Sequence, residues 1–343
     1  MIRRIRLLVL VARPAVIVLL GLFTAIGMAQ AGRGGDALLL ARALTAVAGF
    51  LLFSVTCNDL ADEAIDRVNL PGSRARPLVT GAASRHDLVV MGGGAAAVAF
   101  AVSATLRWQA AVVMAAGLAL SAGYSLRPVR IADRGAAASL VLPACYVAVP
   151  YLIGVLSARP NIHTADVTLL AGLYVVFIGR ILLKDFRDVR GDALFGKRTF
   201  LVRHGRRWTC AFSECCWVAG AIMLLAAVPT RTAALTAAFV ALLVMSLCLL
   251  GALARNSGAR RDEALIAAIA VVGRGLGVVL LAHLSMRHAH WAIPFYDCVV
   301  GVLATCVLAQ AAVMAEHGPV ARATIPEWMA GSGRDHHAAA LNR

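Results

Sequence analysis

Ten apolar runs, parted by short polar stretches, set the pattern of the chain: residues 7–28, 37–57, 87–106, 108–124, 135–157, 166–184, 209–228, 232–254, 264–284 and 292–315. About 20 residues rising about 1.5 Å each cross a hydrocarbon core of about 30 Å, and most of the runs reach that length. The pattern predicts an all-α, polytopic membrane helix bundle of nine or ten transmembrane helices. The weakest run holds Gly273-Arg274-Gly275, where an arginine at mid-span costs several kcal/mol unless it faces a cavity or snorkels. The charge bias of the last loop favours keeping that run, and so ten. A signal peptide is the alternative for the first run, which follows Arg3, Arg4 and Arg6. Its length, and the lack of a small-residue cleavage site before a soluble domain, favour a retained first helix.

Composition supports the membrane reading. The chain is 60% hydrophobic and only 15% charged, with mean hydropathy +0.79, whereas soluble domains carry charge on about a quarter of their residues. Of the 33 Lys and Arg, 24 fall in loops or termini on one side of the predicted bundle, six on the other, and three lie within or near spans. This bias predicts a bacterial plasma-membrane protein with both termini in the cytoplasm. The net charge of +15 is therefore distributed by side of the membrane, not gathered into a basic domain that could follow nucleic acid. Eight cysteines lie mostly inside apolar runs without metal-ligand spacing and read as small core residues. Residues 1–317 are expected to form one transmembrane domain, and 318–343, which lack periodicity, a disordered cytoplasmic tail.

Against this background two acidic stretches stand out. Asn58-Asp59-Leu60-Ala61-Asp62-Glu63-Ala64-Ile65-Asp66-Arg67 follows the second run, and Lys184-Asp185-Phe186-Arg187-Asp188-Val189-Arg190-Gly191-Asp192 follows the sixth; together they hold seven of the 18 acids. In each, three aspartates are spaced 0, +3 and +7. Read as a helix, that spacing places Asp59, Asp62 and Asp66 on one face, and the second set is Asp185, Asp188 and Asp192. Carboxylates so close repel unless a cation sits among them, and oxygen-rich clusters suit Mg²⁺, which takes one or two carboxylates and completes its octahedron with water and substrate phosphate oxygens. The alternative is a solvated helix whose acids offset Arg67, Arg74 and Arg76.

The first motif with Arg76-Pro77-Leu78-Val79-Thr80-Gly81, the second motif running on through Gly196-Lys197-Arg198-Thr199, and Tyr124-Ser125-x-Arg127-Pro128-x-Arg130 between them resemble the signatures of the UbiA superfamily of intramembrane prenyltransferases. The resemblance covers about residues 13–205, and the family usually shows nine spans. It implies a bundle around a central cavity, with the two Asp-rich motifs at the cytoplasmic side holding two or more Mg²⁺ ions between them. Ionisation of an isoprenyl diphosphate would leave pyrophosphate and an allylic cation, so the leaving charge must be stabilised and water kept away. Asn58 would orient or ligate, and Arg67, Arg127, Arg130, Lys184 and Arg187 would donate to diphosphate oxygens. The fourth-helix Tyr124 is followed by Pro128, where the hydroxybenzoate branch has a lysine, a departure that resembles the quinone, chlorophyll and ether-lipid branches.

The expected partners are an isoprenyl diphosphate donor, membrane lipids and a small aromatic or lipid acceptor. An aromatic acceptor comes first, with Arg13 holding its carboxylate. Closure of the cation on itself, as in a terpene cyclase, and transfer to a lipid or sugar phosphate are alternatives using the same fold. A divalent-ion transporter is the alternative from another class.

Overall fold

The computed structural model describes residues 8, 11–69, 76–186, 194, 196, 199–228, 231–255, 258–290 and 292–318. Each of the ten apolar runs is helical there, as a bilayer demands of a chain whose backbone polar groups find no water. In chain order the helices are α1 (Pro14–Gln30), α2 (Ala37–Ala61), α3 (Glu63–Asn69), α4 (Arg85–Leu106), α5 (Trp108–Ser125), α6 (Ala136–Pro143), α7 (Val149–Ala158), α8 (Thr164–Ile181), α9 (Phe200–Ala227), α10 (Ala233–Ala254), α11 (Ala259–His288) and α12 (Ile293–His317). A π-helical turn, Ala144–Ala148, joins α6 to α7 into one segment. Among the described residues eight segments are long and apolar enough to cross a membrane, while α1, with 17 residues, is shorter. The protein is thus an all-α, multi-pass membrane bundle. The C-terminal tail expected to lack order lies outside the described residues.

Two departures from the apolar pattern shape the site. The first run does not form one unbroken helix from residue 7. Pro14 has no N–H and restricts the residue before it, and Arg13 takes a left-handed backbone, φ 47°, at the start of α1. Nor do Asp59, Asp62 and Asp66 share a continuous helix face. The second helix ends at Ala61, Asp62 caps it with φ −102° and ψ 11°, and α3 begins afresh at Glu63. Three carboxylates stacked on one face would repel; the break parts them and gives each a guanidinium of its own or a share of one.

The fold centres on α1 and α7, which cross so closely that a methyl on Gly27 would fall on the Tyr151 carbonyl, and one on Gly154 on that of Thr24. Small residues that let backbones meet are the usual means of helix association in lipid. On one side α1 and α7 pack with α2, α4 and α5 around Phe50 and Met114; on the other with α8 to α12 around Trp217 and Phe239. At the far end of α7 a buried ion pair ties α7 to α8: Arg159 donates to both oxygens of Asp166, at 2.6 and 2.7 Å. Because neighbouring helices alternate in direction, the start of α1, the α2–α4 connection, the α5–α6 connection and the α8–α9 connection contribute to one cavity, at one end of the bundle.

Candidate active site

That cavity, about 220 Å³, is lined by Arg13, Asn58, Asp62, Asp66, Arg76, Tyr124, Tyr146, Lys184, Asp185 and Thr199, among others. Residues from the two acidic motifs, over a hundred positions apart in the chain, therefore face one space. Each is delivered by a helix end. Asn58 and Asp59 occupy the last turn of α2, Asp62 its cap and Asp66 the short α3. The eighth helix tightens into a 3₁₀ turn, Leu182–Lys184, and sets Asp185, only 5% exposed, just beyond it.

Arginines knit the first motif together. Asp59, 2% exposed, accepts from Arg13 at 2.7 Å and from Arg76 through a very short contact. The same Arg76 reaches Asp66 through Nε at 3.0 Å, so one guanidinium bridges two carboxylates. Asp62 pairs with Arg130 at 2.9 Å, and Arg130 also donates to the Ala61 carbonyl at 3.0 Å, pinning the end of α2. Burial pushes the Asp66 carboxyl up to about 6; Asp59 and Asp62 add to the rise and Arg76 opposes it. From the second motif, Lys184 hydrogen-bonds the hydroxyl of buried Tyr124.

Not every residue singled out from the sequence comes to the cavity. Arg67 pairs with Glu63 at 2.7 Å and is mostly exposed. Arg127 lies exposed in the turn after α5, and Arg130 acts through Asp62 instead of lining the space. Arg187, Asp188 and Asp192 lie outside the described residues. Arg13 lines the cavity, but its guanidinium is committed to Asp59. Among the lining residues that were not singled out as site residues are Arg76 and Tyr146. Arg76 carried a signal, the conspicuous Arg-Pro-Leu after the acids. Tyr146 carried none by type or spacing, since it lies inside an apolar run; the π-turn presents it, stacked at 5.8 Å on Phe177. Prolines at 143 and 150, flanking that turn, were the only hint of an irregular helix.

The donor set fits Mg²⁺. Among the described residues no three His, Cys, Asp or Glu side chains come together as a protein-only cage. Mg²⁺ usually binds without such a cage, through one or two carboxylates and substrate phosphate oxygens. Asp62, Asp66 and Asp185 offer carboxylates to the cavity, and the buried Oδ2 of Asp59 has no hydrogen-bond partner.

A second cavity of about 310 Å³ shares Arg13, Tyr146, Ile181 and Lys184 with the first and continues along Leu19, Phe177 and Ile266. A third, about 780 Å³ and almost wholly apolar, lies between α1, α2, α11 and α12. Arg274 stands in the walls of both the second and the third.

Comparison with known proteins supplies a frame for this geometry. Residues 20–272 match the model of the UbiA prenyltransferase family. The bacteriochlorophyll synthase 34 kDa chain of Chloroflexus aurantiacus is 27% identical over 154 residues, 45% of this chain and 48% of that one. Chlorophyll synthase of Arabidopsis thaliana is 29% identical over 169 residues, 46% of this chain and 42% of the plant protein. The matched region thus spans about half the length of these curated relatives or less. A UbiA homolog from Archaeoglobus fulgidus, solved with DMAPP and Mg²⁺, shares the fold at TM-score 0.53 and 14% identity, covering 90% of this chain and 99% of its own.

Proposed function

We propose, from the premise that this chain belongs to the UbiA prenyltransferase family, that it moves an isoprenyl group from an isoprenyl diphosphate to a membrane-partitioned acceptor, in a Mg²⁺-dependent reaction that releases pyrophosphate. The observation that carries this reading is one cavity lined by Asp62, Asp66 and Asp185 together with Arg13, Arg76 and Lys184. A pocket of alternating carboxylates and cations suits a metal-bound diphosphate and suits few other ligands. The metal, when bound, supplies Lewis-acid neutralisation of the charge that develops on the leaving group. Asp62, Asp66 and Asp185, with Asp188 and Asp192 expected beside them, would hold it as two or more ions.

The chain's own residues do the rest. Lys184, Arg13 and Arg76 orient the diphosphate oxygens, and Asn58 orients its neighbours on the end of α2. Tyr146, stacked on Phe177, lines the second cavity, where its ring would stabilise an allylic cation and the apolar walls keep water away. The helix-end parity and the arginine-rich loops support a cytoplasmic mouth.

The acceptor reading shifts from the small aromatic acid expected first toward a lipid- or chlorophyll-like one. What supports the shift is the naming of the curated relatives as bacteriochlorophyll and chlorophyll synthases, together with an apolar chamber of about 780 Å³ next to the site. Purified protein given Mg²⁺, isoprenyl diphosphates of several lengths and extracted membrane acceptors should release pyrophosphate only when an acceptor is present, with the prenylated product identified by mass spectrometry. Release of a cyclic hydrocarbon without acceptor would assign the cyclase reading instead. Asp62→Asn and Asp185→Asn should each abolish release in protein that still elutes as a folded, detergent-solubilised monodisperse species.

A further inference from the structure

Arg274 is the sixteenth residue of the 30-residue α11, far from either end, and it makes no ion pair or side-chain hydrogen bond with the described residues. A guanidinium held inside a bilayer without a counter-charge is unfavourable by several kcal/mol, and such residues mark sites where a charged partner is received. Arg274 has room to receive one. It lines the apolar chamber between the first two and last two helices and also the narrower cavity that adjoins the diphosphate pocket. In the chamber its polar company is Thr45 and Gln310, neutral hydrogen-bonding groups, while the remaining walls are aliphatic or glycine. Val18 at the chamber's edge is 65% exposed, so the chamber gives onto the lipid side.

We infer that Arg274 anchors the carboxylate of the acceptor, and that this acceptor is an amphiphile with one carboxylate on a large apolar body, entering from the bilayer. The inference rests on the prenyltransferase reading and adds to it the acceptor's chemical class. In the chamber Arg274 is one fixed cation flanked by neutral groups and balances one negative charge, while Arg180, which lines the narrower cavity, is not in the chamber wall. A carboxylate does so bidentately, whereas a phosphate monoester would bring a second charge into apolar walls with nothing to meet it. Arg13 pairs with Asp59 at 2.7 Å and lies outside the chamber.

The full chain in nanodiscs of zwitterionic lipid is titrated with 1-pyrenebutanoate, its methyl ester and 4-(1-pyrenyl)butyl phosphate, read by fluorescence anisotropy against protein-free nanodiscs. The acid is expected to bind about tenfold or more tighter than the ester, and Arg274→Gln to erase that preference while ester binding holds. Arg274→Lys, which keeps the charge but not the fork, retains part of the preference. Leu44→Trp, which fills the chamber, weakens acid and ester together. Equal binding of acid and ester to the wild type, an acid preference that survives Arg274→Gln, or tighter binding of the phosphate overturns the assignment. Binding of geranyl diphosphate with Mg²⁺, measured in the same samples, is expected to be unchanged by Arg274→Gln. Its absence in the wild type would sink the prenyltransferase reading and leave the acid-against-ester comparison standing by itself.

Discussion

Arg76 occupies the position a metal would want, and replacing it with glutamine gives a prediction of definite sign. Its guanidinium touches Asp59 and bridges to Asp66 at 3.0 Å, with a side chain only 15% exposed. Without ligand it is therefore the cation that lets two buried carboxylates coexist. A metal ion binding those carboxylates must share them with the guanidinium or push it aside. Two cations of charge +2 and +1 roughly 5 Å apart repel by about 6.6 kcal/mol at an effective dielectric of about 20. If the surrounding acids and water screen four-fifths of that, about 1.3 kcal/mol remains, close to tenfold in affinity. Arg76→Gln should thus bind the metal alone about tenfold more tightly, while it binds the isoprenyl diphosphate more weakly because a donor to its oxygens is gone.

The measurement needs a probe of the metal apart from turnover. Mn²⁺ in place of Mg²⁺ can be followed by the EPR signal of the free ion, in detergent, with and without geranyl diphosphate. It is best done at about pH 8. Without Arg76 the Asp66 carboxyl, which Arg76 otherwise pulls down, climbs above about 6 and would hold a proton nearer neutrality. Unchanged or weaker Mn²⁺ affinity at that pH would show that Arg76 does not compete for the metal's ligands, and the picture of a counter-ion held in the site would be lost. The variant should also be less stable without metal, because removing one partner of a buried pair strands the other; Arg76→Lys restores the charge and separates the two effects.

Two further outcomes follow from the same geometry. Since Asp66 titrates near 6 when folded and near 3.8 otherwise, the folded metal-free protein binds its proton more tightly. Its stability therefore falls as pH rises from about 4 to about 6, by at most roughly 3 kcal/mol from this group, and Mn²⁺ affinity weakens by up to about tenfold per pH unit below about 6 as the proton competes. A thermal-shift series with and without Mn²⁺ reads both, and a profile flat between pH 5 and 7 would exclude Asp66 as a ligand. Gly154→Val, which puts a branched Cβ onto the Thr24 carbonyl at the α1–α7 crossing, should cost about 2 kcal/mol or more and shift the melting of detergent-solubilised protein by several degrees; melting at the wild-type temperature would mean that the crossing is loose.

Much of the bundle could be read in the sequence because water exclusion imposes one rule on every span. Apolar length alone therefore located the helical segments, even around Arg274, eight of which among the described residues are long and apolar enough to span. What could not be read depends on contacts between segments. Spacing placed Asp59, Asp62 and Asp66 on one helix face, but the charge repulsion that makes such a face a good metal site also breaks the helix at Asp62. Arg127 and Arg130 sit three apart and looked alike, yet a turn exposes the first and carries the second to Asp62. Arg13 was expected to meet an acceptor carboxylate, and the left-handed residue before Pro14 turns it onto Asp59. Tyr146 reaches the cavity only because five residues wind as a π-turn.

The depth of the two charged sites bears on how the reaction is kept dry. The pocket lined by both acidic motifs gathers helix ends, whereas Arg274 lies fifteen residues into α11, about 22 Å along it at about 1.5 Å per residue. A donor whose head is charged and whose tail is apolar can enter from the aqueous mouth and lay its first carbons past Tyr146. An acceptor anchored at Arg274 would come from the bilayer side and need not pass the diphosphate at all. If both entered by the mouth, each turnover would open the pocket to water between the two bindings, and an allylic cation formed then would be quenched. Separate routes meeting in the narrow cavity between Lys184 and Arg274 let the mouth stay closed by the donor's own diphosphate while the acceptor arrives. A product-to-alcohol ratio that does not fall as acceptor concentration is lowered would argue against that arrangement, because hydrolysis should appear only when the bilayer route leaves the cavity unfilled.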